Sequence, residues 1–351
     1  ISRTERNRRT AEAMEFDLTG AVRAWVSGKL PNSGIVLDNR LEGGAYDFYS
    51  CRAFKPGQRP YLEITLSPGV DAKPSPIPEV TTAPAEAWVE AMRQVHAKFN
   101  GNKGRCVLYG DSITCSMAFL GTAAWGKEIP YKNVPAEAKA DLEAVWAHAD
   151  RAFWQKRDWK LGHEGQKKSD WFLANIDGWQ KTLQPEVGVI LFGSNDLGGL
   201  CPPEYTENMA AAVRRMMADG TVPILTTVPP ASGRDRYMAD YYMACSILAR
   251  HFRIPVIDYY GEIMRRRPDD WDGRLPQHLE KARGPDGKVN GYEVLAPISG
   301  DGVHPSNPAR YSADFSDEAL NNNGFVLRDY MTLRKYGEVI RQVIQPGAES
   351  N

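Results

Sequence analysis

The hydrophobic positions of this chain follow two patterns that alternate along most of its length. Short apolar runs that end in turn residues predict β-strands at 105–110, 187–192, 223–227 and 255–259. Longer stretches with apolar residues three and four positions apart predict helices at 85–98, 136–154, 169–183, 205–218, 236–252 and 327–344. The alternation predicts an α/β fold, in which helices cover both faces of a parallel sheet.

Three short polar motifs lie at the ends of these predicted strands or in a late loop. The tetrad GDSI at 110–113 follows the first strand and places Ser112 on a strand-to-helix turn, while GSND at 193–196 follows the second strand and contains Asn195. The tetrad DGVH at 301–304 lies near the C-terminus. Since ligands bind outside the carboxyl ends of parallel strands, we expect the three motifs to meet in one crevice.

The residue types in these motifs suit acyl transfer. A serine hydroxyl is a weak nucleophile until a base removes its proton, and His304 is the candidate base for Ser112. Asp301 could accept a hydrogen bond from the other ring nitrogen and hold the productive tautomer. Asn195 and the backbone N–H of Ser112 could donate to an oxyanion. Taken alone, Gly-Asp-Ser is also an ordinary helix-entry turn, so the prediction depends on the three motifs together.

The order of these motifs resembles the GDSL or SGNH hydrolase family, whose blocks contain Gly-Asp-Ser, a glycine, Gly-x-Asn-Asp and Asp-x-x-His. The resemblance implies a three-layer α/β/α, flavodoxin-like fold over 86–345 and a Ser-His-Asp triad. It also implies a third oxyanion donor from a glycine before Asn195, for which we favour Gly165 over Gly162. If a backbone carbonyl helps to orient His304, as in some relatives, loss of Asp301 would be less damaging than loss of His304.

The N-terminal part shows a different pattern. Short alternating segments at 16–18, 22–26, 34–39, 46–50 and 61–66 predict β-structure. The run 25–66 resembles half of a DNRLRE-type β-sandwich module of secreted and cell-surface proteins. We therefore predict a partial accessory module at 1–68, a proline-rich linker at 69–85, the hydrolase domain at 86–345 and a tail at 346–351. An insertion at 306–325, rich in Asn, Ser and Asp, either borders the pocket or is a surface excursion.

The resemblance to family members with secreted appendages implies a carbohydrate esterase that removes acetyl groups from a polysaccharide or oligosaccharide. Tryptophans in loop-like sequence suit the faces of sugar rings, whereas His163 either lines the entrance or packs in its loop. The candidate substrate contacts are Asp111, His163, Trp125 and Trp159. The alternatives are a lipase, thioesterase or arylesterase with the same machinery, and a non-catalytic glycan-binding or adhesion protein on a hydrolase scaffold.

Composition gives no indication of a nucleic-acid, membrane or metal partner. The chain has 351 residues, 42% of them hydrophobic, and its net charge of −1 gives no reason to expect a nucleic-acid partner. No apolar stretch is long enough to predict a membrane span. The five cysteines form no CxxC pair and no His/Cys spacing indicates a metal site, so we expect no metal or other cofactor. We expect a secreted, periplasmic or cell-surface protein whose signal peptide is not in this chain.

Overall fold

The computed structural model of the protein describes residues 17–26 and 85–346. The chain divides into two compact units, Ile1–Phe48 and Tyr49–Asn351. In the first unit, helix α1 spans Thr19–Val26. The β-structure expected at 22–26 is therefore wrong, because Asp17 accepts the Thr19 amide at 2.9 Å and opens a helix whose backbone hydrogen bonds are satisfied locally. The strands predicted at 34–39, 46–50 and 61–66, and the linker, lie outside the described residues.

A parallel sheet organises the second unit. All four predicted strands are confirmed, as β1 (Asn102–Gly110), β2 (Pro185–Leu191), β3 (Val222–Thr226) and β4 (Val256–Ile257). They pair in the order β1-β2-β3-β4, and every pairing is parallel. Since β2 occupies one edge of β1, the parallel bridge between Gly110 and His163 adds a short extension at the other edge. The result is the flavodoxin-like arrangement expected from the sequence.

Helices cover the sheet in two layers. The described helices of this unit are α2 (Ala85–His96), α3 (Ser112–Cys115), α4 (Gly121–Ala124), α5 (Lys139–His148), α6 (Ser169–Leu183), α7 (Pro202–Ala218), α8 (Asp235–Phe252), α9 (Tyr259–Arg266), α10 (Pro276–Lys281), α11 (Asp317–Asn322) and α12 (Gly324–Val339). One layer contains α6, α7 and α8, packed side by side, and the other contains α2, α5 and α12. A π-helical turn, Ile340–Ile344, continues α12.

The single helix predicted at 136–154 is interrupted. Its α-helical part is α5 alone, flanked by 3-10 turns at Ala136–Ala138 and Arg151–Gln155. The break occurs where the Asp150 amide donates to the Gly104 carbonyl at 2.9 Å, which takes the chain out of helical geometry beside β1. The following turn buries Trp154, whose indole N–H donates to a β1 carbonyl at 2.9 Å.

Aromatic packing supports the strand that precedes the first motif. The Tyr109 ring lies 5.2 Å from Phe172 and 5.7 Å from Trp179, centroid to centroid. Trp171 packs edge-on against Trp179 at 4.9 Å. These two tryptophans belong to the core side of α6, as their helical spacing predicts.

Candidate active site

The turn that carries Ser112 is built by close packing. A Cβ on Gly110 would lie 2.1 Å from the Thr114 hydroxyl and 2.7 Å from the Leu191 carbonyl oxygen, so only glycine fits at the end of β1. The Asp111 carboxylate then accepts the Ile113 amide at 3.0 Å and caps α3. Ser112 is thereby held as the first residue of a short helix at the carboxyl edge of the sheet.

Ser112, His304 and Asp301 form a continuous hydrogen-bonded chain. Ser112 Oγ lies 2.8 Å from His304 Nε2, and His304 Nδ1 lies 2.7 Å from Asp301 Oδ2. The other carboxylate oxygen of Asp301 accepts the amides of Val303 at 2.8 Å and His304 at 2.9 Å. One oxygen of Asp301 is therefore fixed by its own loop, and the other is left for the imidazole.

The pKa shifts of Asp301 and His304 indicate where the protons lie in this hydrogen-bonded triad. Burial alone would raise the pKa of Asp301, but hydrogen bonds from the His304 side chain and from the loop amides outweigh it and hold that pKa well below its ordinary value. The Asp301 carboxylate in turn raises the pKa of His304 above 6.5, against the opposing effect of burial. In neutral His304 the proton therefore lies on Nδ1, toward Asp301, and Nε2 can accept the Ser112 proton.

The segment that carries these two residues, which we call the His304 loop (299–305), is closed by its own hydrogen bond and joined to a neighbouring loop at its middle. The Ser299 amide donates to the His304 carbonyl at 2.7 Å, and the Ser232 amide donates to the Gly302 carbonyl at 2.8 Å. Within the insertion at 306–325, Ser306 is buried and accepts the Gly324 amide at 3.1 Å. The insertion thus anchors the His304 loop to the start of α12, and no hydrogen bond joins it to Ser112 among the described residues.

Asn195 lies beside the nucleophile turn. Its side-chain nitrogen donates to Asp111 Oδ2 at 3.0 Å and to the Lys167 carbonyl at 3.3 Å. Gly193 makes this turn possible, because its φ of +135° and the 2.4 Å approach of its Cβ position to Val228 exclude other residues. Both amide hydrogens of Asn195 are engaged, and the longer bond is the weaker of the two.

Asp111 does not fit the substrate contact expected from the sequence. Its side chain is fully buried, and its two oxygens accept the Ile113 amide and the Asn195 amide. Burial raises the pKa of Asp111 to about 6, although the Ile113 hydrogen bond and the charge of Arg328 act in the opposite direction. Asp111 is therefore a positioning residue, which links the turn of Ser112 to the Asn195 side chain through its two hydrogen bonds.

The two candidate glycines before Asn195 differ in their surroundings. Gly162 has a φ of +98°, and a Cβ there would lie 2.5 Å from the Tyr109 ring, so it is a packing glycine. A Cβ on Gly165 would lie 3.9 Å from the Ser112 Cβ. The half-buried Cys115 thiol also borders this position: burial and the Asp111 charge raise its pKa, and the Gly165 amide is one of the groups that lower it. Gly165, but not Gly162, adjoins Ser112.

The remaining predicted contacts are dispersed. His163 is only 3% exposed, and burial, reinforced by the charge of Arg157, lowers its pKa to about 4, so of the two interpretations it fits packing in its loop. Trp125 is exposed after α4, and no ring contact or hydrogen bond joins its side chain to the triad within the described part of the chain. Trp159 begins a 3-10 turn, Trp159–Leu161, but its side chain lies outside the described residues.

One aromatic residue beside the site has no counterpart in the sequence prediction. Tyr292 lies in the 3-10 turn Gly291–Glu293, with its ring centroid 6.4 Å from that of His304. Burial and the nearby Asp301 carboxylate raise the pKa of its hydroxyl. A single tyrosine in a polar loop has no periodicity or motif, so no sequence signal could have identified it.

Within residues 17–26 and 85–346, no three His, Cys, Asp or Glu side chains are grouped to hold a metal ion. Over the same residues, no helix combines the length and the apolar character needed to cross a bilayer.

The chain matches several solved structures over most of their length, at low sequence identity. A possible acylhydrolase from Bacteroides fragilis is 18% identical, with a TM-score of 0.40, and the match covers 72% of this chain and 97% of that one. A lipase/acylhydrolase from Enterococcus faecalis is 17% identical, with a TM-score of 0.40 and coverages of 66% and 95%. A catalytic mutant of an acetylxylan esterase from Geobacillus stearothermophilus is 15% identical, with a TM-score of 0.40 and coverages of 67% and 95%.

The family comparison covers the whole site. No curated protein matches the chain. The model of the GDSL-like lipase/acylhydrolase family matches residues 108–310, a span that includes Ser112, Asn195 and His304. This match covers more than half of the chain, and the chain therefore belongs to the GDSL-like lipase/acylhydrolase family of ester-bond hydrolases.

Proposed function

We propose that the protein is a secreted serine esterase that removes acetyl groups from a polysaccharide or oligosaccharide. The observation that carries the proposal is the hydrogen-bonded chain from Ser112 through His304 to Asp301, with links of 2.8 and 2.7 Å. This geometry matches what nucleophilic acyl transfer needs: a hydroxyl in contact with a base, and a base oriented by a carboxylate.

In the proposed reaction Ser112 Oγ attacks the ester carbonyl carbon while its proton passes to His304 Nε2. The tetrahedral oxyanion accepts hydrogen bonds from the amides of Ser112 and Gly165 and from the Asn195 side chain. Asn195 supplies its donor by exchanging the weaker bond to the Lys167 carbonyl for one to the oxyanion, while the bond to Asp111 keeps its side chain in place.

Collapse of this intermediate breaks the bond to the alcohol, which leaves with the proton from His304 and gives an acetyl-Ser112 ester. Water then attacks the acetyl carbonyl, and His304 takes one water proton and returns it to Ser112 Oγ as acetate departs. Every proton passes through His304, which lies in hydrogen-bond contact with Ser112 and exchanges protons with Ser112, the departing alcohol and water.

A second candidate is hydrolysis of lipid or small acyl esters by the same residues. Two large apolar side chains favour it, because Met117 and Trp125 are 51% and 57% exposed in the segment that follows Ser112. Exposed apolar side chains can bind an acyl chain or an aromatic alcohol.

The test compares acetate release from acetylated oligosaccharides with hydrolysis of p-nitrophenyl esters of increasing acyl length, with and without a chelator. We expect acetyl esters to react fastest, chelation to leave turnover intact, and Ser112→Ala to lose about 10⁴-fold or more in rate. Ser116→Ala, a change in the same segment, is the matched control. An active Ser112→Ala variant would disprove the proposed nucleophile, and faster octanoyl hydrolysis with no acetate from any glycan would favour the second candidate.

A further inference from the structure

Tyr292 lies beside the His304–Asp301 pair of the site. Its ring lies 6.4 Å from the His304 ring, at an interplanar angle of 49°, and 45% of the residue is exposed. In an acyl transfer at Ser112, His304 delivers the proton to the departing alcohol, so the alcohol passes beside this imidazole. An exposed phenol at this distance offers it a flat apolar face, the surface that a sugar ring packs against.

The position of Tyr292 is fixed by the backbone. Its carbonyl accepts the Asn307 amide at 2.8 Å, and its amide donates to the Asn290 side chain at 3.2 Å. The neighbouring Gly291 carbonyl accepts the Gly300 amide, in the His304 loop, at 2.8 Å. The backbone of this turn is therefore joined to the His304 loop through Gly300 and to the insertion through Asn307.

The same 3-10 turn borders a cleft of about 410 Å³, whose lining includes Asn290 and Glu293. Its charged lining contains more cations than anions, so the cleft is positive at neutral pH. The basic side chains are Lys281, Arg283, Lys288 and Arg310, and the acidic ones are Asp286 and Glu293.

The cleft's anions do not neutralise all of its cations. Glu293 accepts the Ala309 amide at 3.0 Å, and Asp286 lies 3.9 Å from Lys288. Arg283 pairs with a carboxylate outside the cleft. Within the described residues, Lys281 and Arg310 form no ion pair, and both are exposed. The Arg310 guanidinium is held over the Tyr311 ring at 4.5 Å, which limits its motion.

We propose that Tyr292 and this cleft form a binding subsite for a carboxylate-bearing sugar chain. The sugar that carries the ester packs on Tyr292, and Lys281 and Arg310 bind the carboxylate of a neighbouring sugar. This inference rests on the proposed function, since the bound chain presents its ester to Ser112. The substrate class is thereby narrowed from acetylated glycans to acetylated acidic glycans.

The experiment compares kcat/KM for acetylated galacturonate oligosaccharides with that for neutral acetylated xylo-oligosaccharides of equal length. We expect the wild-type protein to favour the acidic substrate, and the Lys281→Ala/Arg310→Ala variant to lower the acidic-to-neutral ratio on the order of tenfold, as two exposed ion pairs would. High salt should lower the wild-type ratio in the same way. The control, Lys98→Ala/Lys181→Ala, removes the same charge near the amino ends of the strands and should keep the ratio.

Tyr292 is tested by the pair Tyr292→Phe and Tyr292→Leu. The phenylalanine variant keeps the ring face and should keep the KM for both oligosaccharides, whereas the leucine variant should raise both several-fold. If the leucine variant has the wild-type KM for both oligosaccharides, Tyr292 does not belong to the subsite.

Failure of this inference is separable from failure of the proposed function. A wild-type protein that cleaves p-nitrophenyl acetate but prefers neutral glycans, or whose ratio survives the double substitution, would overturn the subsite and leave the esterase intact. If no ester is cleaved at all, calorimetry with unacetylated galacturonate oligosaccharides still tests whether the subsite binds an acidic sugar chain. Binding about tenfold weaker in the Lys281→Ala/Arg310→Ala variant supports the subsite, and equal or no binding overturns it.

Discussion

Replacement of Asp301 by asparagine should inactivate the esterase through the tautomer of His304. Oδ1 of Asp301 accepts two backbone amides, from Val303 and His304, at 2.8 and 2.9 Å. An asparagine at this position must keep its oxygen there, because the opposite orientation would set an NH₂ group against two N–H donors and lose both bonds, each worth about 1 kcal/mol. Its NH₂ group therefore points at His304 Nδ1.

The consequence is a proton on the wrong ring nitrogen. With a donor facing Nδ1, neutral His304 carries its hydrogen on Nε2 and cannot accept the proton of Ser112, which lies 2.8 Å away. In a Ser-His-Asp triad this change costs about 10⁴ in turnover, or roughly 5 kcal/mol of transition-state stabilisation. Among the described residues, no backbone carbonyl is bonded to Nδ1, so the loss in Asp301→Asn should approach that in His304→Ala.

The assay is kcat/KM for p-nitrophenyl acetate across neutral pH, with thermal unfolding to verify that the variant is folded. Asp314→Asn is the matched control, because its carboxylate accepts the Ser316 amide at 2.8 Å in a similar turn outside the triad. A folded Asp301→Asn variant within about tenfold of the wild-type kcat/KM would refute the tautomer argument.

Three further predictions concern other parts of the molecule. Asn195→Ala should lower kcat about 10²–10³-fold with little change in KM, and a rise in KM at constant kcat would exclude an oxyanion role. Because the pKa of His304 is raised and its neutral form is the base, the acid limb of kcat/KM should have its midpoint above pH 6.5; a midpoint at or below that value contradicts the assignment. Glu186 has a pKa lowered to about 2 by hydrogen bonds from His148, His96 and the Gly104 amide, which outweigh burial. Its contribution to the free energy of unfolding, roughly 3 kcal/mol, should be complete above pH 4.5 and decline as the pH falls toward 2, a decline that Glu186→Gln should lack in acid unfolding curves.

The strands of the sheet were predictable from sequence because each is marked by its own apolar residues and by the turn residues that follow it. β2 is buried along its whole length and is apolar except at Glu186. The motifs at 110–113 and 193–196 were recognisable for a similar reason: each begins with a glycine that its own turn requires, at Gly110 by close contact and at Gly193 by a positive φ. The helix at 19–26 and the break at 148–151 were missed, since a cap and a single tertiary hydrogen bond outweighed the local pattern in those places.

The site was predictable only in part. By itself, the sequence determined which residue types stood at the carboxyl ends of the strands and in what order, and so determined the family and the candidate triad. Contacts across long sequence separations depended on tertiary structure. They place Gly165 rather than Gly162 beside Ser112, bury His163 and turn Asp111 toward Asn195.

Tyr292 shows why this division exists. Its side chain lies next to His304 because two separate loops are joined by backbone hydrogen bonds, Gly300 to Gly291 and Asn307 to Tyr292. Backbone amides and carbonyls are the same in nearly every residue, so such a junction leaves no trace in residue type. Periodicity and turn chemistry are properties of neighbouring residues and can be read along the chain, whereas the distance between two loops is set by the packing of the whole sheet and its helices.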